Sequence, residues 1–301
     1  METGTGTEQR IAIQGVLGSF HEIAARQFFG PGVVLDMCDT FPELFRKLAE
    51  GQARYGVVAI ENTVAGSLLP NYALLRNSAL HIIGEVYLRI EHSLMALPGQ
   101  RIEDLREVHS HPMALQQCQD FLAEYPDLRA IERPDTAGSA QWIAETGSRG
   151  VAAIGAALAA QHYGLEVLRQ GIESNHRNYT RFLVLLDKDA ARRLPLRPDK
   201  ASLCFHLSHK VGSLSQILLV LSSHGMNLTK IQSLPLVGQE WEYFFHIDLE
   251  YDDHAQYQRA LAAIQSLVAE LKILGEYPRG IKPRRETPTE TPAQQPATIE
   301  P

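Results

Sequence analysis

Thr180 and Arg181 stand side by side at the entrance to an apolar run, Phe182 to Leu186, directly after the polar stretch Asn175-His176-Arg177-Asn178-Tyr179. A hydroxyl that can give or take one proton, beside a planar cation with a fork of donors, is chemistry suited to gripping an anionic substrate. The same pair also fits a surface ion pair next to a strand-favouring threonine, so the company it keeps has to decide. Three other polar turns supply that company. Gly15-Val16-Leu17-Gly18-Ser19-Phe20-His21 follows a strand-like run and precedes a helical one. Glycines there let backbone N–H groups and a helix N-terminus face an anion, or simply make a tight turn. The spacing Gly-x-x-Gly is neither a dinucleotide fingerprint nor a phosphate loop.

Glu61-Asn62-Thr63 closes the apolar run Tyr55–Ile60. Polar groups at the carboxyl end of a strand in an α/β sheet sit where ligands bind, although Asn62 and Thr63 also suit the cap of a following helix. Ser110-His111-Pro112-Met113-Ala114-Leu115-Gln116-Gln117-Cys118 reads as a helix entrance with Pro112 in its first turn and Gln117 about two turns on. A Cys118/His111 nucleophile pair would be separated by roughly 10 Å along that helix. His109 and His111 have no third ligand of matching character nearby, so no metal is expected. Polar turns at strand ends, one anchoring cation and no nucleotide or metal signature together describe a pocket for a small carboxylate between two lobes.

The elements that would position these turns alternate. From Ile11 to about Leu186, strand-like runs (Ile11–Gln14, Val33–Met37, Tyr55–Ile60, Val108–Ser110, Val151–Ile154, Phe182–Leu186) are separated by amphipathic helical stretches, the pattern of an α/β domain. Thr40 with Glu43 reads as a capping box, and Asp135 as the cap of another helix. Lys188–Lys200, with Arg192, Arg193, Pro195, Arg197 and Pro198, interrupts the pattern and reads as a linker. Beyond it Ala201–His206, Gly212–His224, Asn227–Pro235, Trp241–Leu249, His254–Leu271 and Ile273–Tyr277 follow the order βαββαβ, a ferredoxin-like domain. Residues 282–301, rich in Pro, Thr, Glu and Gln, cannot build a core and are expected to be disordered.

With 301 residues, 45% hydrophobic and 21% charged, the chain can form two packed domains, and its net charge of −7 argues against nucleic acid or an anionic membrane as partner. Any anionic ligand must be held by a local cluster. Cys38, Cys118 and Cys204 form no pair at metal or disulfide spacing and fit a reducing cytosol. There is no signal-peptide pattern at the start and no apolar run of spanning length, so a cytoplasmic protein is expected.

Taken in order, Gly15 to Phe20, Glu61-Asn62-Thr63, Ser110-His111-Pro112 through Gln117-Cys118, Asp135-Thr136-Ala137 and Thr180-Arg181-Phe182 resemble the prephenate dehydratase family. The second domain resembles the ACT type of amino-acid-sensing module. The resemblances place the catalytic domain at 9–187, the linker at 188–200 and the ACT domain at 201–277. They imply a two-lobed, periplasmic-binding-protein-like fold that converts prephenate to phenylpyruvate, CO2 and water without metal or cofactor. Thr180 would then assist the leaving hydroxyl and Arg181 hold a substrate carboxylate, with Ser19, Glu61, Asn62, Ser110 and Gln117 at binding positions. Glu61 could instead orient Arg181 by an ion pair. Where the family often has Thr-Tyr-Ser and a Gln after Ser-His-Pro, this chain has Ser19-Phe20-His21 and Met113.

The resemblance also implies a phenylalanine pocket between paired domains, lined by Gly212, Ser213 and Leu214 and by Asn227, Leu228, Gln232 and Ser233, hence a homodimer or homotetramer. The usual Glu-Ser-Arg-Pro reads Gln232-Ser233-Leu234-Pro235 here, which removes one acid and one base. Two rival readings stay open: a dehydratase of the aminated substrate arogenate, and a non-catalytic amino-acid sensor.

Overall fold

The computed structural model describes residues 10–207, 210–236 and 242–283. The first lobe opens with Arg10–Gln14 (β1), Phe20–Phe29 (α1), Val34–Cys38 (β2), Phe41–Ala49 (α2), Tyr55–Asn62 (β3), Gly66–Ser67 (β4), Leu69–Asn77 (α3) and Leu80–Arg89 (β5). The chain crosses to a second lobe of Ser93–Ala96 (β6), Glu107–Ser110 (β7), Pro112–Gln117 (α4), Gln119–Ala123 (α5), Arg129–Glu132 (β8), Thr136–Thr146 (α6), Val151–Gly155 (β9), Ala157–Tyr163 (α7) and Glu166–Gln170 (β10). It returns to the first lobe as Tyr179–Asp187 (β11) and Lys188–Ala191 (α8). A second domain follows: Lys200–His206 (β12), Ser213–Ser223 (α9), Asn227–Pro235 (β13), Tyr243–Glu250 (β14), His254–Gln265 (α10) and Glu270–Tyr277 (β15).

The first sheet has the order β2-β1-β3-β11-β5, with β4 added to β3, and the second the order β10-β6-β9-β7-β8. β11 therefore returns from the far end of the domain to lie antiparallel between β3 and β5. That central place explains its unbroken apolar run, since Phe182 to Leu186 are all buried and neither face of the strand meets water. All six expected strands form, within a few residues. β5, β6, β8 and β10 were not legible; in β5, Gly84 breaks the apolar run because Phe28 packs where its side chain would be, 2.4 Å from a Cβ.

Two chain segments link the lobes, residues 90–92 and 171–178, and they run together: Ile90 N donates to Asn178 O at 2.8 Å, Ile172 N to His92 O at 3.1 Å, and His92 N to Glu173 Oε2 at 2.9 Å. On another side, the glycine turn meets α7. Glu22, fully buried, accepts from Gly18 N at 2.6 Å and Arg26 Nε at 2.7 Å and pairs with His162 of the second lobe at 3.1 Å. Burial alone would raise its carboxyl, but the Gly18 N–H and Arg26 outweigh it and hold it below the usual range.

The third sheet, β13-β14-β12-β15, is antiparallel with β13 and β15 at its edges, as a ferredoxin-like βαββαβ unit requires. Its last helix stops at Gln265, earlier than the expected Leu271, because residues from Glu270 onward pair with β12. The expected linker also shrinks. Residues 188–191 form a helical turn capped by Asp187, and Lys200 opens β12 with its side chain buried, leaving 192–199 outside these elements. The second domain shares a core with the first lobe, in which Leu44, Ile60, Tyr72 and Ile82 pack with Cys204, Phe244, Leu274 and Tyr277. β15 lies so close to β5 that a Cβ on Gly275 would fall 2.3 Å from Ile82 O. Of the tail expected to be disordered, only Lys282 and Pro283 are among the described residues. Among the described residues no helix is long and apolar enough to cross a membrane.

Candidate active site

A cavity of about 590 Å³ opens between the two lobes, above the paired linking segments. Apolar walls come from Phe20, Phe41, Phe182, Leu68 and Ile90, enough to accept a six-membered ring. Ser19, Thr40 and Asp135 also line it, and each caps a helix: Ser19 Oγ accepts from Glu22 N, Thr40 Oγ1 from Glu43 N, and Asp135 Oδ1 from Gly138 N. The N-termini of α1, α2 and α6 thus converge on the cleft from both lobes. Phe20, Phe41 and Thr136 hold the first position of those helices, where the backbone N–H has no helical carbonyl to bond. Among the described residues, no lysine or arginine lines the cavity. What the cavity offers an anionic group is amides, hydroxyls and helix N-termini.

The polar floor has a direction that follows from the backbone. Asn62 Oδ1 accepts from Val64 N at 2.9 Å and Ala65 N at 2.8 Å, so its amide nitrogen must face the other way. That nitrogen donates to Thr180 Oγ1 at 2.9 Å and to Asn178 Oδ1 at 2.7 Å. Thr180 Oγ1 is therefore an acceptor toward Asn62, and its own hydrogen has no acceptor among the described residues of the cleft it lines. Asn178 in turn donates to Gln117 Oε1 at 2.8 Å, and His92 Nε2 lies 2.9 Å from the same oxygen, so that ring nitrogen carries the proton. Burial pulls the His92 imidazole below its usual pKa, and the neutral ring leaves Nδ1 without a partner among the described residues. Asp135 is pushed above the usual carboxylate range by burial, partly offset by the Gly138 N–H.

The structure brings together Ser19, Asn62, Gln117 and Thr180. It places three other expected residues elsewhere. Ser110 is fully buried and donates to Ile154 O at 2.6 Å, tying β7 to β9 below the cleft wall. Arg181 and Glu61 face away from the cavity, toward the second domain. Arg181, 3% exposed, donates through Nε to Glu85 at 2.7 Å and through its terminal nitrogens to Asp248, to Glu61 at 3.3 Å and to Tyr277 Oη at 3.0 Å. Lys200, equally buried, donates to both Glu85 oxygens at 2.9 and 3.0 Å. Burial alone would raise the Asp248 carboxyl, but Arg181 and Lys200 hold it below the usual range.

The expectation that Arg181 grips a substrate carboxylate thus gives way to an interdomain ion seam, with Glu61 as its partner. A cue was present in the sequence. Successive residues of a strand face opposite ways, so Thr180 and Arg181 cannot both enter one pocket, nor can Asn62 and Glu61. His92, Asn178 and the converging helix ends were missed as site groups; the capping residues Thr40 and Asp135 were the legible trace of the latter. Of the residues expected to line an effector pocket, Asn227, Leu228, Gln232 and Ser233 lie along the edge strand β13, while Gly212, with φ of 84°, leads into Ser213 and Leu214 at the start of α9. The buried Cys118 thiol is pushed up to about 12 by burial and is no nucleophile. Among the described residues no cluster of three or more His, Cys, Asp or Glu is placed to hold a metal.

This architecture defines a two-lobed α/β protein with a ligand cleft at the lobe junction and a small α/β domain docked on one lobe. A model of the prephenate dehydratase family matches residues 11–190, and the chain belongs to that family. The bifunctional chorismate mutase/prephenate dehydratase of Escherichia coli K12 is 35% identical over 274 residues, 89% of this chain and 70% of the relative. Arogenate dehydratases from Arabidopsis thaliana and Petunia hybrida match at 36–38% identity. Among solved structures, the prephenate dehydratase of Arthrobacter aurescens in complex with L-Phe superposes with a TM-score of 0.80 at 30% identity, covering 90% of both chains. A quorum-quenching acylase, GqqA, also superposes with a TM-score of 0.80, at 33% identity over 90% of this chain and 98% of its own.

Proposed function

We propose that this chain catalyses the decarboxylating dehydration of prephenate to phenylpyruvate, CO2 and water, a step toward L-phenylalanine. The observation that carries the reading is the Thr180 hydroxyl, held as an acceptor by Asn62 with its hydrogen free toward an apolar cleft ringed by helix N-termini. In the reaction the C–C bond to the ring carboxylate breaks, its electron pair completes the aromatic ring, and the ring C–O bond breaks in turn. Hydroxide departs as water, with net uptake of one proton. Thr180 hydrogen-bonds the departing oxygen, which is the poor leaving group that needs help. Donors without fixed charge suit the other end. A cation on the departing carboxylate would stabilise the ground state more than a transition state in which that charge is dispersing into CO2. Ser19 and Gln117 orient the substrate, while Asn62, its amide spent on Thr180 and Asn178, acts through Thr180.

Acyl transfer, the activity named for GqqA, is poorly served here. Thr180 bonds an amide, and the lone pairs of His21 Nε2 and His111 Nδ1 accept from the backbone N–H groups of Ala59 and Met113, so the second nitrogen of each neutral ring carries the hydrogen and is no base. No hydroxyl–imidazole pair activates a nucleophile among the described cleft residues.

The second domain is read as an ACT module that senses L-phenylalanine, with Gly212, Ser213 and Leu214 of one chain and Asn227, Leu228, Gln232 and Ser233 of another forming the effector pocket. The exposed edge of β13 supports such pairing, and the minimum assembly is then a homodimer. The test is turnover of prephenate by purified protein, read as phenylpyruvate absorbance in alkali, with and without L-phenylalanine. Arogenate runs in parallel. Phenylpyruvate formation is expected; phenylalanine from arogenate alone would transfer the assignment to the aminated substrate, and no turnover of either would leave a sensor.

A further inference from the structure

The edge strand β13 contains one charged residue, Lys230, and its ammonium is engaged in another domain. Lys230 Nζ donates to Glu61 Oε2 at 2.5 Å and to Ser67 Oγ at 2.7 Å. Glu61 and Ser67 are directly paired across the β3–β4 hairpin, so one ammonium closes both arms of that hairpin. The turn it closes is the one built by Asn62, whose Oδ1 holds Val64 N and Ala65 N and whose Nδ2 reaches Thr180. The aim of Lys230 is set by a bulge. The register of β13 with β14 runs Leu228 to Leu249 and then Lys230 to Asp248, skipping Thr229. Without that extra residue the side chain at 230 would lie on the other face of the sheet.

We propose that Lys230 is a positioning residue for the dehydration, supplied by the regulatory domain: it holds the 61–67 hairpin and thereby sets the Asn62 amide against Thr180. The inference rests on the dehydratase reading given above. It also gives the effector strand a mechanical route to the cleft. Asn227 and Leu228 precede Lys230 on β13, and Gln232 and Ser233 follow it, so a ligand that shifts this strand shifts the hairpin through the same ammonium. Glu61 keeps Arg181 as a second partner and is only partly buried, so losing Lys230 does not strand a buried charge. The loss should therefore register in turnover more than in folding.

The experiment compares the full-length chain with Lys230→Met and Lys230→Arg variants, measuring kcat and KM for prephenate and backbone hydrogen exchange in residues 61–67. Exchange at Val64 and Ala65 reports directly on the Asn62 side chain that bonds them. For Lys230→Met, kcat is expected to fall roughly tenfold with KM within about twofold, the scale that a small misplacement of a catalytic group produces. Exchange in 61–67 should quicken, and Lys230→Arg should restore most of both. Wild-type kcat, or unchanged exchange in 61–67, overturns the proposal. If Lys230→Met does not fold, Ser67→Ala, which removes one arm of the clasp, is expected to move kcat and exchange the same way by less; no movement of either overturns it. Failure of the wild-type chain to turn over prephenate would count against the dehydratase reading instead, and the exchange measurement would still decide the clasp.

Discussion

Thr180 and Arg181 are consecutive on β11 and serve different domains: the threonine hydroxyl bonds Asn62 in the cleft, while the arginine guanidinium binds Glu85 and Asp248 across the domain boundary. Their cross-strand partners divide in the same way. Thr180 is paired with Asn62 and Arg181 with Glu61, so two adjacent rungs of one ladder face the cleft and the domain boundary respectively.

Replacing Thr180 by Ala should abolish the hydrogen bond to the leaving group while barely disturbing the fold. A fall in kcat of roughly 10²- to 10⁴-fold is expected, the usual contribution of a positioned proton donor. Thr180→Ser should retain a large part of the rate, and thermal unfolding should shift little in either variant.

Arg181→Met separates the two roles weighed for that residue. It leaves Glu85 and Asp248 buried without their arginine, and breaking such a buried pair costs about 3–5 kcal/mol. Urea unfolding is expected to show that loss. Among the molecules still folded, KM for prephenate should stay within about threefold. A KM rise of a hundredfold with unchanged stability would restore the carboxylate-binding role.

Stability should also fall on mild acidification through His246. Its ring is buried in the joint core, 5.1 Å from Tyr72, with Nδ1 unpaired among the described residues, and burial pulls its pKa down to about 4. The unfolded chain takes up a proton near pH 6.5, and the folded chain resists until about pH 4. Stability that is fully present at pH 7 is thus lost as pH falls through that window, by up to about 3 kcal/mol. Unfolding free energies at pH 7 and pH 4.5 should differ by roughly 2 kcal/mol less in His246→Phe than in wild type.

Gly18→Ala tests the contact between the lobes. Gly18 has φ of 85°, and a Cβ there would lie 2.4 Å from Ala159 Cα, a backbone atom that moves only if the second lobe moves. Gly99 has φ of 75° with open space around it, so Gly99→Ala isolates the backbone strain, about 1–2 kcal/mol. Gly18→Ala should lower the melting temperature further than Gly99→Ala and reduce kcat/KM, whereas equal effects would deny the contact a role.

The strands that were legible are those with apolar runs long enough to stand out, such as Tyr55–Ile60 and Phe182–Leu186. β5 was hidden because Gly84 and Glu85 sit within it, and both answer to distant partners, Phe28 for the first and Lys200 and Arg181 for the second. Helix caps were readable from local chemistry, and Thr40 and Asp135 cap where their spacing said they would. Arg181 was legible as important but not as buried. Its surroundings are assembled from β3, β5, β14 and β15, up to 120 residues from it along the chain, and no local pattern announces them.

A cleft that offers an anionic substrate no lysine or arginine among its described residues has a kinetic signature. Long-range attraction between net charges is what ionic strength screens, and the field of a helix N-terminus fades within its first turn. Substrate capture by this chain, whose net charge is −7, should therefore be little accelerated by charge and should not weaken as salt rises. Shape and amide geometry then do the selecting at close range. The product, which has one carboxylate fewer to hold, leaves against a correspondingly weaker grip.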